Sequence, residues 1–327
     1  MTKTVLVLTS ADDVHADIVC AVMAGQSSPV ARFHPETFPL SASLTADIRP
    51  GAFKAALRIE HDLLDLTTVG SIWYRRPSRP HLPDWPAGVG EFGAAEAEHA
   101  FSGLMAALSE AFWVSRPDKI RRASYKIAQL GWAQEAGFGV PATIVTNDPD
   151  EARQFYAEHE GGIVYKTLCM PFIQHNPELV GALYTTPIGT AQAQQFGRVS
   201  VLPCQFQEYL EKRLEVRATV IGNTVFAASI NASGTDLGQH DWRRYEPGTV
   251  YSRHTLPGNV EESCLRLVRM LGLQFGAIDL VLKPDGSYVF LEINPNGQWA
   301  FVEQVTGLPL TAAMVALLTR PQERALR

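Results

Sequence analysis

Residues 275–297, FGAIDLVLKPDGSYVFLEINPNG, constrain the fold more tightly than any other stretch of the chain. Ile278, Leu280 and Leu282 alternate with Ala277, Asp279 and Val281, and Tyr288, Phe290 and Glu292 alternate with Val289, Leu291 and Ile293. Lys283-Pro284-Asp285-Gly286 supplies turn chemistry between the two runs, so the segment predicts a β-hairpin. A turn centred on Pro284 and Asp285 sets Asp279 opposite Phe290 and makes Glu292 its diagonal neighbour on the same face, about 7–8 Å away. Asn294, two residues beyond Glu292, shares that face. Ala277, Val281 and Phe290 fall on it too, so it is largely apolar, and unpaired carboxylates there would carry a large desolvation cost. A cation offsets that cost. Two carboxylates and an amide oxygen suit Mg²⁺, which takes oxygen donors and usually shares its octahedron with substrate phosphates. The expectation is a nucleotide site with Asp279, Glu292 and Asn294 as metal ligands. The competing reading is a half-exposed sheet whose acids face water.

Size and composition narrow the remaining possibilities. A chain of 327 residues can build more than one core, and 46% hydrophobic with 19% charged residues is the balance of a globular protein. No apolar run approaches the roughly 18 residues that span a bilayer, and Lys3–Thr9 is too short for a signal-peptide core, so a cytoplasmic protein is expected. Cys20, Cys169, Cys204 and Cys264 have neither paired nor metal-type spacing and are expected to be buried thiols. A net charge of -6 argues against sequence-independent binding to nucleic acid, which needs a basic surface.

The order of elements predicts an α/β chain. A strand over 4–9, a helix over 11–24 and a strand over 30–33 form a β-α-β opening. Its first loop, Thr9-Ser-Ala-Asp-Asp13, has no glycine to admit a pyrophosphate, so this layer is not expected to hold a cofactor. A strand over 70–76 ends in Trp73-Tyr-Arg-Arg-Pro77, and a helix is expected over 92–112. From Ser115 a second helix, 121–136, carries Lys126. A compact pattern follows: strand 143–146, helix 149–159 capped by Asn147 or Asp148, and strand 162–168 carrying Lys166. Residues 179–186 and 198–203 read as a hairpin, 214–221 and 224–230 as a strand pair, and 261–271 as a helix. The loop of roughly twenty residues between Asn231 and Val250 is long enough to be functional. The expected units are 1–115, 116–206 and 207–327.

Several polar groups could serve a nucleotide. Lys166 shares a strand face with Val164, so it points inward toward a phosphate or snorkels out at a sheet edge. Lys126 sits on an amphipathic helix, where a lone lysine is ordinarily solvated. Gln207-Glu208-Tyr209-Leu210 reads as a strand leaving a core, able to offer backbone groups to a base edge with Tyr209 and Leu210 as apolar walls. Glu215, Arg217 and Thr219 share a strand face; Arg217 either steadies a transferring phosphoryl group or pairs with Glu215.

Taken in order, Lys126, Lys166, Gln207–Leu210, Glu215-Val-Arg217, Asp279 and Glu292-Ile-Asn294 resemble the ATP-grasp ligases, and the first unit resembles their pre-ATP-grasp layer. Ile72-Trp-Tyr-Arg-Arg-Pro77, Leu214–Gly222 and Asp241-Trp-Arg243 are similar to the ribosomal-peptide maturases of that superfamily, the graspetide synthetases. The resemblance implies an ATP-grasp fold in which Lys126 and Lys166 bind ATP phosphates, Glu208, Tyr209 and Leu210 surround adenine and Glu215 holds the ribose. Asp279, Glu292 and Asn294 would hold two Mg²⁺ ions, with Arg217 at the transferring phosphoryl group and Arg243 at an acyl phosphate. It also implies a macrocyclase acting on a precursor peptide of leader and core, a leader surface within 170–205, a lid over 231–248 and a homodimer, with no nucleic-acid or membrane partner. The alternatives are a RimK-like or glutathione-synthetase-like ligase for a free amino acid, and a non-catalytic ATP-binding regulator.

Overall fold

The computed structural model describes residues 3–169, 172–176, 179–232, 241 and 248–327, without the side chains of 174–176, 179 and 180. Its first layer is a parallel sheet. β1 (Val5–Thr9) is buried along its whole length, α1 (Val14–Gly25) is N-capped by Asp13, and β2 (Val30–Phe33) lies beside β1. The chain then makes an antiparallel sheet absent from the sequence reading: β3 (Ala42–Arg49), β4 (Ala52–Ile59) and β5 (Asp62–Asp65). Its Ala, Asp, Lys and Arg content is poor in strand formers, so tertiary context and not local propensity holds it extended. β6 (Ser71–Arg76), α2 (Ala87–Ala107) and β7 (Phe112–Val114) complete the layer in the order β2-β1-β6-β7. α2 starts five residues before the expected Phe92, directly after Pro86, and its three early glycines hid that turn. Phe112 belongs to a strand and donates its N–H to Gly70.

The helix expected over 121–136 is two, α3 (Pro117–Ala123) and α4 (Lys126–Glu135), so Lys126 opens a helix instead of sitting inside one. The middle layer contains β8 (Thr143–Thr146), α5 (Pro149–Glu158), β9 (Ile163–Lys166), the hairpin β10 (Phe172–Asn176) and β11 (Leu179–Ala182), β12 (Thr186–Pro187), α6 (Thr190–Ala193) and β13 (Cys204–Glu208). Its sheet runs β12-β9-β13-β8. Asp148 caps α5 by accepting from the Asp150 N–H. Residues 198–203 are not the expected strand. Phe196–Val201 is a 3-10 turn, because Phe196 and Val199, three residues apart, both bury against Phe155 of α5.

The last layer is a five-stranded antiparallel sheet ordered β16-β15-β14-β17-β18, from β14 (Leu214–Ile221), β15 (Thr224–Asn231), β16 (Val250–His254), β17 (Phe275–Leu282) and β18 (Tyr288–Asn294). α7 (Gly258–Met270) covers one face, where Cys264, Leu267 and Val268 meet Ile278, Leu280 and Phe290. The other face meets the first layer and α9 (Leu310–Thr319): Phe275 and Ala277 pack with Val7, Trp73, Trp299 and Met314. α8 (Ala300–Thr306) and α10 (Pro321–Arg324) flank α9. Of the four thiols only Cys264 is buried, and burial together with Glu261 pushes it up to about 12. Cys169 is exposed and Cys20 and Cys204 are half-buried, which corrects the expectation of four buried thiols. Among the described residues no helix is long and apolar enough to cross a membrane.

Candidate active site

The two strands expected to carry the metal ligands are present, in a different register. Gly286 adopts φ +86°, so the turn is a three-residue loop, Pro284-Asp285-Gly286, closed by Lys283 N–H to Ser287 O at 2.9 Å. That length sets Leu280, not Asp279, opposite Phe290. Phe290 therefore packs into the α7 core, on the face away from Asp279, which corrects both its expected pairing and its expected face. Strict alternation would send Glu292 into that core as well. A β-bulge at Leu291 prevents this by inserting one residue, and Glu292 comes to lie directly opposite Asp279 instead of diagonally from it. Asn294 is opposite Ala277, one step along the same face.

Each carboxylate meets a cation from another element. Arg217 on β14 is the cross-strand partner of Asp279, and its Nη1 donates to both carboxylate oxygens at 2.7 Å. Both residues are buried, so the pairing offsets desolvation that either charge alone would suffer. Lys126 Nζ lies 3.0 Å from Glu292 Oε2 and donates to the Thr167 carbonyl at 2.9 Å. Gln129, one turn further along α4, sets that position. Its amide donates to Ile293 O and Ala123 O and accepts from Ile293 N–H, which ties the helix to β18 one residue beyond Glu292. Gln129 carries little signal in the sequence, since a glutamine one helical turn after a lysine is a common pattern.

A cleft runs from these pairs toward the middle layer, lined by Lys126, Lys166, Glu215, Asp279, Leu291 and Glu292. It continues past Val164, Gln207, Glu208, Tyr209, Leu210 and Val281. Lys166 is inward-facing, with Nζ donating to Gln207 Oε1 at 2.7 Å, and Gln207 in turn donates to Thr143 Oγ1 at 2.9 Å. Tyr209 N–H closes on Gly162 O, whereas Leu210 N–H has no acceptor among the described residues. Glu215 pairs with Lys212, another residue the sequence reading passed over. Burial raises the Glu215 carboxyl above the usual range, with Lys212 opposing the shift and Asp279 and Asp241 adding to it. Asp241, 4% exposed, accepts from the Thr185 N–H at 2.9 Å and faces the same cleft. Trp242, Arg243 and nearly all of the expected lid over 231–248 lie outside the described residues.

The donor set fits Mg²⁺. Asp279, Glu292 and Asn294 offer hard oxygens at adjoining positions of one sheet face, and Asn294 Oδ1 is oriented by accepting the Asn296 N–H at 3.0 Å. Among the described residues no group of three or more His, Cys, Asp or Glu side chains could hold a metal. The protein's share is then two carboxylates and an amide, which suits a metal completed by phosphates and water.

Comparison with known proteins adds a family likeness. The model of the MvdD pre-ATP grasp domain matches residues 4–121. No curated protein matches significantly. Among solved structures, macrocyclase MdnC bound with precursor peptide MdnA from Microcystis aeruginosa MRC is 28% identical over 97% of this chain and 99% of that one, with a TM-score of 0.85. The Chryseobacterium gregarium RiPP-associated ATP-grasp ligase, in complex with ADP and a leader and core peptide, is 25% identical over 97% and 96%, with a TM-score of 0.88. Macrocyclase MdnB from Microcystis aeruginosa MRC is 29% identical over 97% and 99%, with a TM-score of 0.80.

Proposed function

We propose that this chain, an ATP-grasp ligase of the ribosomal-peptide maturase kind, is an ADP-forming macrocyclase that joins acidic side chains of a precursor peptide to its hydroxyl or amine side chains. The observation that carries the reading is the opposition of Asp279 and Glu292 on one sheet face, each held by a cation, at the mouth of a cleft containing Lys126, Lys166 and Glu215. In the proposed reaction an Asp or Glu carboxylate of the core attacks the γ-phosphorus of ATP, the bond to the β-phosphate oxygen breaks, and ADP leaves. A Ser or Thr hydroxyl, or a Lys amine, then attacks the acyl carbon and expels phosphate. The ring closes with net loss of one water.

The chain's own residues act mainly by position and charge. Lys126 and Lys166 are assigned to the ATP phosphates, Glu208, Tyr209 and Leu210 to adenine, and Glu215 to the ribose hydroxyls. The open Leu210 N–H supports the adenine assignment, since a hinge that binds a base edge must keep a donor. Arg217, held against Asp279, is assigned to the transferring phosphoryl group, and Arg243 to the acyl phosphate. Asp279, Glu292 and Asn294 would hold Mg²⁺, which when bound neutralises phosphate charge. A lid over 231–248 would exclude water from the acyl phosphate. We assign the leader to segment 170–205, where β10 exposes Phe172 and Ile173, and place the enzyme in the cytoplasm as a homodimer of units 1–115, 116–206 and 207–327. A ligase for free amino acids would use the same ATP residues; the likeness to peptide macrocyclases over nearly the whole chain favours a peptide.

The test is incubation with ATP, Mg²⁺ and the precursor peptide encoded nearby. The expected result is loss of one water mass per ring with release of ADP and phosphate; unchanged peptide mass, or AMP as product, contradicts the proposal.

A further inference from the structure

β13 carries two glutamines on one face, and only one of them serves the lysine assigned to the phosphates. Gln205 and Gln207 alternate with Phe206, which packs with Ala152 and Phe155 of α5, so both amides lie on the side of the sheet away from that helix. The Cα partner of Lys166 across the β9–β13 pair is Gln205, whose Oε1 is buried and has no hydrogen-bond partner among the described residues. Lys166 Nζ instead reaches along the strand and donates to Gln207 Oε1 at 2.7 Å. The acceptor in register is passed over for the next one toward the hinge.

What distinguishes Gln207 is the lock on its far side. It stands directly opposite Thr143 of β8, and its Nε2 donates to Thr143 Oγ1 at 2.9 Å. The Thr143 hydroxyl proton is already committed to the Pro141 carbonyl, at 2.9 Å. A hydroxyl has one proton, so Thr143 can only accept from Gln207, and the amide must turn its oxygen to Lys166. Every bond in the series Lys166, Gln207, Thr143, Pro141 therefore has its direction fixed from the β8 end. Gln207 is 1% exposed, so water is poorly placed to replace Thr143 as the acceptor for Nε2. Thr143 itself is not among the residues lining the cleft. The hinge backbone is held separately, by Glu208 N–H donating to the Ala142 carbonyl at 2.9 Å, a bond that needs no Thr143 side chain. The effect of the hydroxyl on the lysine can thus be separated from any effect on the hinge.

We propose that Thr143 is a positioning residue for the nucleotide: acting through Gln207, it sets where Lys166 holds its ammonium group, and so how tightly the ATP phosphates are bound, without touching ATP itself. This rests on the assignment of Lys166 to the phosphates. The test uses the full-length protein with Thr143→Val, which keeps the β-branched shape and removes the hydroxyl, and Thr143→Ser, which keeps the hydroxyl. Thr143→Ala deletes the same group and stands in should the valine variant fail to fold. Affinities for ATP with Mg²⁺ and for adenosine are measured by isothermal titration calorimetry without peptide. Thr143→Val should weaken ATP by roughly 3–10-fold, the worth of one hydrogen bond. Adenosine has no phosphates for Lys166 to hold and should stay within about twofold. Thr143→Ser should bring ATP back to within about twofold of wild type, and in a Lys166→Met background Thr143→Val should cost ATP nothing further. Equal ATP affinity in wild type and Thr143→Val, a parallel loss for adenosine, no recovery with serine, or an undiminished loss in the Lys166→Met background would each overturn the positioning role. A wild type that binds no ATP would overturn the nucleotide reading of the cleft and this role with it, whereas ATP binding without cyclisation of any peptide would count against the proposed function alone.

Discussion

Gly297 lies where the loop after β18 crosses β17, and replacing it with alanine should uncouple the metal loop from the sheet. A Cβ built there would stand 2.4 Å from the Ala277 Cβ, 3.0 Å from Arg217 Nη2 and 3.4 Å from Asn294 O. Glycine is required for this close approach, since its φ is not in the left-handed region. Ala277 cannot retreat, because β17 is hydrogen-bonded to β14 on one side and β18 on the other. The loop must therefore move by about 1 Å to restore ordinary contact at 3.4 Å, carrying Asn294 and the Asn296 carbonyl that anchors Arg75 and Arg76. Overpacking of this kind costs about 1–3 kcal/mol, and a misplacement of about 1 Å at a reacting centre costs about 10²-fold in rate. Urea denaturation and ADP release at saturating ATP and peptide read the two effects. Ala277→Gly supplies the control, because it removes the atom that clashes while itself costing about 0.5–1 kcal/mol. The double variant should regain much of the lost rate, with a coupling energy of about 0.5–3 kcal/mol. Strict additivity, or wild-type behaviour of Gly297→Ala alone, would refute the steric argument.

Glu292→Gln keeps the shape of the side chain and removes the charge that faces Asp279 and Lys126; ADP formation should fall at least about 10²-fold, while peptide binding by fluorescence anisotropy stays near wild type, and equal loss of both would mark Glu292 as structural. Gln129→Leu strips Ile293 of its side-chain donor and acceptor in a buried setting, at about 1–3 kcal/mol per orphaned group; unchanged stability in urea would show that the helix-to-strand clamp does nothing. Asp13→Asn leaves Arg75 buried beside a neutral group and should destabilise by about 3–5 kcal/mol at pH 7. Burial alone would raise the Asp13 carboxyl, but hydrogen bonds from His15, Thr9 and Ala16 and the Arg75 charge hold it well below its ordinary value. Its contribution is therefore complete above the unfolded pKa of about 4 and fades as pH falls toward the folded value. A wild-type-to-variant difference that grows below pH 4 in denaturant titrations would contradict that sign.

Much of the site was legible because its residue types are chemically unusual where they occur. Asp279, Glu292 and Asn294 stood out as hard oxygens in hydrophobic strands, and Lys166 as a charge sharing a strand face with Val164. Glu215 and Arg217 share the predicted face, but their partners do not follow from proximity in sequence: Glu215 pairs with Lys212 and Arg217 with Asp279. The antiparallel sheet β3-β4-β5 was not legible, because its strands are rich in residues without strand preference. The break between α3 and α4 escaped notice because both pieces continue one apolar periodicity.

Sequence alone determined which chemical groups are available and roughly which strand or helix carries each, since alternation and turn composition are local properties. It could not determine which face Glu292, Arg75 and Arg76 present. Those depend on a one-residue insertion at Leu291 and another at Arg75, and on a turn one residue longer than the shortest reading. A bulge changes no residue and leaves little local signature; its stability comes from neighbouring strands and from the loop carbonyl at Asn296. Because side chains reverse face with every single-residue shift, tertiary packing decided whether two acids meet each other or enter the core.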